Sequence, residues 1–274
     1  MRYFYLVTNP SKEGSEQKAE EIRSYLLAHG ASCVIGEGKL GTDCSQVPEG
    51  TDCVITLGGD GTLIQAARDL VGRRLPLMGI NMGTLGYLTQ VSAREPLPPV
   101  LDKLLEGNIQ LETRMMLEGE INGQCETARG FALNEIVLGR RVGTQPLHFV
   151  LYVNGKQLNE YTADGMIVAT PTGSTGYNLS AGGPIVTPGA RLIVLTPICS
   201  HSLNSRSIVL MGEDRVDIRV KGKEDQAVVF DGDQEACLSP EGVLSIRRSP
   251  EGTELIRLKD ISFLDNLRDK MSRV

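Results

Sequence analysis

An open, mostly parallel α/β sheet in the N-terminal part of the chain, followed by a β-rich C-terminal part, is the fold class this sequence predicts. Three observations lead to it. Short apolar runs alternate with stretches of helical period as far as Ile80. From Ile109 the apolar residues recur at every second position instead, as in Ile109, Leu111, Met115, Leu117 and Ile121. A helical period returns only in the tail, from Ile261 onward. The 274 residues suit one large domain or two ordinary ones. The proline cluster Pro96, Pro98 and Pro99 marks the break, giving domains over 1–96 and 97–255 and a tail over 256–274.

In order, Tyr3 to Thr8 reads as a strand and Asn9-Pro10-Ser11-Lys12 as the turn after it. Ser15 is placed to cap a helix through Ala19, Ile22, Leu26 and Leu27, stopped by Gly30. Ala31 to Ile35 is a second strand, and residues 36–51 a long connection without period. Asp52 to Leu57 is a buried strand that runs into Gly58-Gly59-Asp60-Gly61-Thr62, and a helix through Leu63, Ala66, Ala67 and Leu70 follows. Pro76 to Ile80 is the next strand, and 81–87 a second glycine-marked loop. Ligands of such sheets sit beyond the carboxyl ends of the strands, where both loops lie. A short helix through Leu101, Leu104 and Leu105 ends at Gly107. Further strands are expected over 131–138, 147–153, 166–169, 193–196, 207–210, 215–220, 226–230 and 242–247, and an amphipathic helix over 262–271.

Bulk properties exclude several classes. A net charge of −6 argues against a nucleic-acid or anionic-membrane surface. No stretch approaches the roughly 20 apolar residues of a membrane helix, and Met1 to Val7 reads as structure, not as a signal peptide. The six cysteines (33, 44, 53, 125, 199 and 237) form no CxxC pair and read as small buried thiols, which fits a reducing cytoplasm. With three histidines far apart, a zinc site has little support.

Four stretches could carry chemistry. The Gly58–Thr62 loop precedes a helix, so its amides favour an anionic phosphate, yet it has neither a Walker-type lysine nor GxGxxG spacing. Asp60 stands there as an accessible carboxylate or as a turn aspartate bonded to its own backbone. Asn134-Glu135 interrupts an apolar strand, where an unpaired buried Glu would cost several kcal/mol. Asp231-Gly232-Asp233 reads equally as a hairpin turn. After the apolar run Met166 to Ala169, six hydroxyls (Thr170, Thr172, Ser174, Thr175, Tyr177 and Ser180) fall within residues 170–180. Without Lys or Arg, that stretch suits a hydroxyl- and amide-rich ligand such as a nucleoside, or is a plain Gly/Ser-rich turn.

Together these stretches resemble the NAD kinase family, in order and spacing. The matching segments are LGGDGT (57–62), NMGTLGYL (81–88), NEIVLGR (134–140), DGMIVATPTGSTGYNLSAGGPIV (164–186), LTPICSHSL (195–203), FDGD (230–233) and the tail from Ser262. GGDG alone also occurs in lipid kinases and phosphofructokinases; the 164–186 block is the specific one. The resemblance implies an α/β domain, a β-rich domain, and a tail helix returning to the first. It implies transfer of the γ-phosphoryl of ATP, or of polyphosphate, to the 2′-hydroxyl of the adenosine ribose of NAD, giving NADP. Asp60 then matches the catalytic aspartate that orients or deprotonates that hydroxyl, with Gly61 against the same substrate. Asn134 and Glu135 hold NAD, Asp164 meets its nicotinamide end, Thr162 falls at an NAD-contacting position, and Thr175, Gly176, Tyr177, Asn178, Leu179 and Ser180 line the adenine and ribose pocket. Gly58, Gly59, Gly61 and Thr62 take the donor phosphates, with a divalent ion, Mg²⁺, held mainly by those phosphates and not by a protein metal site. Relatives form homodimers or homotetramers with shared NAD sites. This chain departs from the usual pattern in carrying Gly176 in place of Ala, Ser200 in place of Pro and Asp233 in place of Gln. A non-catalytic dinucleotide sensor and a lipid kinase are the alternative functions.

Overall fold

The structure, a computed structural model of the chain, describes residues 1–36, 46–84, 86–123, 127–141, 143, 145–202, 205–259 and 262–272. Cys44, Leu85, Cys125, Leu203, Ile261 and most of the 36–51 connection lie outside them. The chain divides into two compact units, Met1–Thr113 with Thr253–Val274, and Arg114–Gly252.

The first unit begins with β1 (Tyr3–Thr8), α1 (Ser15–Ala28), β2 (Ser32–Ile35), β3 (Cys53–Gly58), α2 (Asp60–Asp69), β4 (Leu77–Asn81), β5 (Val91–Ser92), α3 (Pro98–Glu106) and β6 (Gln110–Arg114). The expected boundary at residue 96 is therefore too early. The prolines open α3, where a missing N–H costs nothing, and Leu101 and Leu104 enter the same core as Leu57, Met78 and Ile80. Ser15 does not cap α1: Gly14 holds the cap position with φ 75°, and the Ser15 hydroxyl donates to the Asn9 carbonyl at 2.9 Å.

The second unit holds β7 (Leu117–Asn122), β8 (Thr127–Ala132), β9 (Glu135–Arg140), β10 (Leu147–Val153), β11 (Lys156–Ala163), β12 (Gly165–Ala169), a 3-10 turn over Thr172–Thr175, α4 (Tyr177–Ser180), β13 (Leu192–Ile198), β14 (Ile208–Met211), β15 (Val216–Lys221), β16 (Gln226–Phe230), β17 (Gln234–Leu238) and β18 (Val243–Arg248). They form two six-stranded sheets, ordered β11-β10-β15-β18-β7-β8 and β14-β13-β12-β9-β16-β17. One core joins them: Phe149, Ile218 and Leu244 from the first pack with Leu138, Met166, Val168 and Phe230 from the second. Ile167, Ala169 and Val194 point to the other face and are covered by Ala181 and Val186, so all of β12 is buried. That double burial is why β12 reads as an unbroken apolar run.

The chain then returns to the first unit as β19 (Thr253–Arg257) and α5 (Phe263–Met271). The first unit's sheet runs β2-β1-β3-β4-β19-β6, with β5 beside β4; the pairs β1–β2, β1–β3, β3–β4, β4–β5 and β4–β19 are parallel. Helix α5 starts with a capping box in which Ser262 and Asp265 satisfy each other's backbone amides.

The cysteine expectation needs correction: of the four described, only Cys53 is buried, and Cys33 and Cys237 are half-buried. Cys33, Cys53, Cys199 and Cys237 are free, but Cys199 is exposed, because it sits past the end of β13 at φ 45°. Burial pushes the Cys33 thiol up to about 12. Among the described residues no helix is long and apolar enough to cross a membrane.

Candidate active site

Each unit, taken by itself, holds one loop cluster. In the first, β3 ends at Gly58 and Asp60 is already the first residue of α2, so the aspartate stands at a helix N-terminus and not in a free loop. Its carboxylate is fully engaged. Oδ2 accepts from the amides of Tyr87 at 2.6 Å and Leu88 at 3.2 Å; Oδ1 accepts from the amide of Thr89 at 3.1 Å and from its hydroxyl at 3.0 Å. Four donors fill the roughly four acceptor positions of a carboxylate. Gly86 is required by this arrangement, since a Cβ there would lie 2.1 Å from both Asp60 oxygens. Cβ atoms at Gly59 and Gly61 would meet nothing within 4 Å, so the α2 N-terminus is open beside Asp60. Thr62 is buried, and its hydroxyl accepts from the Asn9 side chain at 3.1 Å.

In the second unit, Asn134 and Glu135 do not lie inside one strand. The expected 131–138 strand breaks into β8 and β9 at Leu133 and Asn134. The cause is Asp231, whose carboxylate accepts from the amides of Leu133 at 2.8 Å, Asn134 at 2.7 Å and Glu135 at 3.1 Å. These three amides cannot pair in a ladder. Asp231 itself has φ 49° and Gly232 φ 72°, so the Asp-Gly turn between β16 and β17 is a hairpin connection whose first residue also shapes the neighbouring loop. Sequence reasoning left Asp231 as a turn residue; its clasp on the Asn-Glu turn is the role that reading missed. Glu135 is 7% exposed, and its Oε2 is buried with no hydrogen-bond partner among the described residues. Burial, with Asp231's charge second, pushes the Glu135 carboxyl up to about 8.

The 170–180 stretch packs against that turn. Thr170 donates to the Leu133 carbonyl at 2.6 Å, and Gly173 lets the Asn134 carbonyl come where a Cβ would be 2.2 Å away. Counting hydroxyls as ligand donors overstates the case. Thr170 and Ser174 are fully buried and bonded to backbone, Ser174 to Pro171 and Val186, while Thr172 accepts from buried Arg114 at 3.3 Å. Asn178 is fully buried too. Its Nδ2 donates to the Ser174 and Pro184 carbonyls, and its Oδ1 accepts from Thr196 at 2.7 Å. Asn178 therefore braces the loop from within. Tyr177 and Leu179 are exposed, at 46% and 39%, Ser180 is exposed, and Thr175 and Gly176 are half-buried. Asp164 forms a half-buried ion pair with Arg140 at 3.3 Å, and the Thr162 hydroxyl bonds His148 Nδ1 at 2.9 Å.

No three His, Cys, Asp or Glu side chains converge among the described residues. Asp60 and Asp231 are held by backbone amides, so these residues supply no ready-made ligand set for a divalent ion.

Known proteins match both units. The family model for the ATP-NAD kinase N-terminal domain covers residues 4–109, and that for the ATP-NAD kinase C-terminal domain covers 133–258. The NAD kinase of Lachnospira eligens is 41% identical, aligned over 99% of this chain and 100% of the relative; that of Agathobacter rectalis is 40% identical over 99% of each. Among solved structures, an NAD kinase from Archaeoglobus fulgidus in complex with ATP superposes with a TM-score of 0.81 at 25% identity, covering all of both chains. Yeast NADH kinase complexed with NADH gives 0.88 at 23% identity, over 99% of this chain and 88% of that one, a likeness of fold. Full-length identity at this level, with a family model on each unit, means that the chain belongs to the NAD kinase family.

Proposed function

We propose that this protein is a phosphotransferase that moves the γ-phosphoryl of ATP to the 2′-hydroxyl of the adenosine ribose of NAD, giving NADP. The observation that carries this reading is the 41% identity to an NAD kinase over essentially the whole chain. Phosphoryl transfer passes through a loose transition state, so positioning and charge neutralisation dominate over base strength. A rigidly held carboxylate is the right tool for that task. Asp60 orients the 2′-hydroxyl by exchanging one of its four donors for it, and the remaining donors keep the carboxylate from wandering. The N-terminus of α2, open at Gly59 and Gly61, suits the donor phosphates through amides and helix dipole, with Gly58 and Thr62 supporting it from beneath. A divalent ion such as Mg²⁺ would come with the ATP phosphates and neutralise their charge. Polyphosphate as donor would use the same amides.

For NAD, Glu135 offers a buried carboxyl oxygen awaiting a partner, and a ligand hydroxyl would relieve that cost of about 1–3 kcal/mol. Asn134, Thr162, Asp164, Thr175, Gly176, Tyr177, Leu179 and Ser180 complete the assignment, with Asn178 acting through the loop it braces. A homodimer or homotetramer with shared NAD sites and a cytoplasmic location belong to the same reading; sedimentation of the purified protein tests the first. The test of activity is NADP formation from NAD, ATP and Mg²⁺, read with an NADP-specific dehydrogenase. Activity with polyphosphate alone would change the donor. Silence with both donors, despite NAD binding, would make the protein a dinucleotide sensor.

A further inference from the structure

Thr89 stands one residue beyond the NMGTLGYL segment, and no role has been assigned to it. It is 3% exposed, and both arms of its side chain are used. The methyl lies over Gly79, where a Cβ would be 2.5 Å from it, so it fills the space that glycine leaves. The hydroxyl has three partners: it donates to Asp60 Oδ1 at 3.0 Å and accepts from Asn81 Nδ2 at 3.0 Å and from the Gly86 amide at 3.3 Å. Asn81 in turn accepts from the Gly83 amide at 2.7 Å, and the Met82 amide donates to the Gly58 carbonyl at 2.8 Å. An unbroken chain of bonds thus runs from the end of β4 through Asn81 and Thr89 to the carboxylate.

We infer that Thr89 is a positioning residue for the reaction, fixing the Asp60 carboxylate against the substrate hydroxyl through the Asn81–Thr89–Asp60 chain. This rests on the NAD kinase reading above. Of the four donors on Asp60, three are backbone amides of the 87–89 turn, and the fourth is the only side chain. It links the carboxylate through Asn81 to the end of β4. Without it, Asp60 and its turn can shift together, and a displacement of about 1 Å at a reacting group can cost on the order of 100-fold in rate. Contacts that hold NAD in the ground state lie mostly elsewhere, so the loss falls on kcat and leaves KM in place.

The experiment compares Thr89→Val, which keeps the shape and removes the hydroxyl, with Thr89→Ser, which keeps the hydroxyl and removes the methyl. Each is assayed for kcat and for KM of NAD and ATP, alongside thermal unfolding. Thr89→Val is expected to lose 10- to 100-fold in kcat with both KM values within about twofold of wild type. Thr89→Ser is expected to keep at least about half of wild-type kcat while melting lower, from the space opened over Gly79. A folded Thr89→Val with wild-type kcat overturns the inference. If that variant does not fold, Thr89→Ser decides alone, and a tenfold loss of kcat in it overturns the inference. Wild-type protein that forms no NADP overturns the kinase reading, and this inference with it.

Discussion

Two carboxylates in this protein make the same gesture. Asp60 in the first unit gathers the amides of residues 87–89, and Asp231 in the second gathers those of 133–135. Each bends three consecutive N–H groups out of any sheet ladder and so fixes a loop of the candidate site. The difference lies in what surrounds them. Asp60 stands at a helix N-terminus with open space over Gly59 and Gly61, and takes a fourth bond from a side chain. Asp231 sits at a left-handed hairpin position and faces a second carboxyl, Glu135, whose ionisation it opposes. One clasp holds a carboxylate beside an open helix end; the other holds a turn and adds to the burial that opposes its neighbour's ionisation.

Asp60→Asn should produce the largest effect. A positioned acid–base group contributes about 10²- to 10⁴-fold, and kcat is expected to fall by that much in steady-state assay. The amide also turns an NH₂ toward backbone donors, so the 86–89 turn loosens as well; near-normal turnover would mean that the first clasp is only architecture. Next comes the pH response of the second clasp. Glu135 is raised from 4.5 to about 8, so the folded state holds a proton that the unfolded state has released across that window. Its stabilising contribution is present below about pH 4.5 and is lost as pH rises through 8. At about 1.4 kcal/mol for each pH unit, the difference between wild type and Glu135→Gln should amount to a few kcal/mol in denaturant titrations from pH 5 to 9. Parallel curves for the two proteins would show that Glu135 is not held neutral.

Asp231→Asn sharpens the contrast. It should cost about 1–3 kcal/mol of stability by leaving amides short of acceptors. It should raise KM for NAD several-fold by freeing the Asn134-Glu135 turn while leaving kcat within about threefold. A kcat loss matching that of Asp60→Asn would erase the distinction between the clasps. The smallest effect is expected at an outer brace of the first one. Lys270 of α5 lies 5.5 Å from the centre of the Tyr87 ring, and Lys270→Ala should lower stability by about 0.5–1 kcal/mol in thermal denaturation.

The fold was legible where burial imposes a period. Apolar runs such as 53–57 and 166–169 and the leucines of α3 declare themselves, because their neighbours in space are uniformly apolar. What escaped was strand structure without that pattern. In β11 the segment Lys156–Tyr161 is exposed except at its end, and only the Asn154-Gly155 pair, with φ of 51° and 77°, advertises the hairpin. The candidate site was read from motifs and from a family resemblance, which point to Asp60, Asn134 and Glu135. Asp231 and Thr89 act through partners 97 and 29 residues away along the chain, and no local pattern encodes such distances. The hydroxyl count misled for the same reason: whether Ser174 looks toward a ligand or toward Val186 depends on a segment folded over it later.

The sheet order of the first unit has a consequence for synthesis. β19 lies between β4 and β6, and it begins at Thr253, after all of the second unit has been made. A nascent chain that has emerged to Gly252 therefore holds every strand of the second unit, but a first sheet with a vacant slot at its middle-to-edge junction. Exposed strand edges invite wrong pairing. That sheet is complete only once the last residues have paired with β4. A stop codon just before residue 253 would leave the earlier-made half of the protein as the defective one.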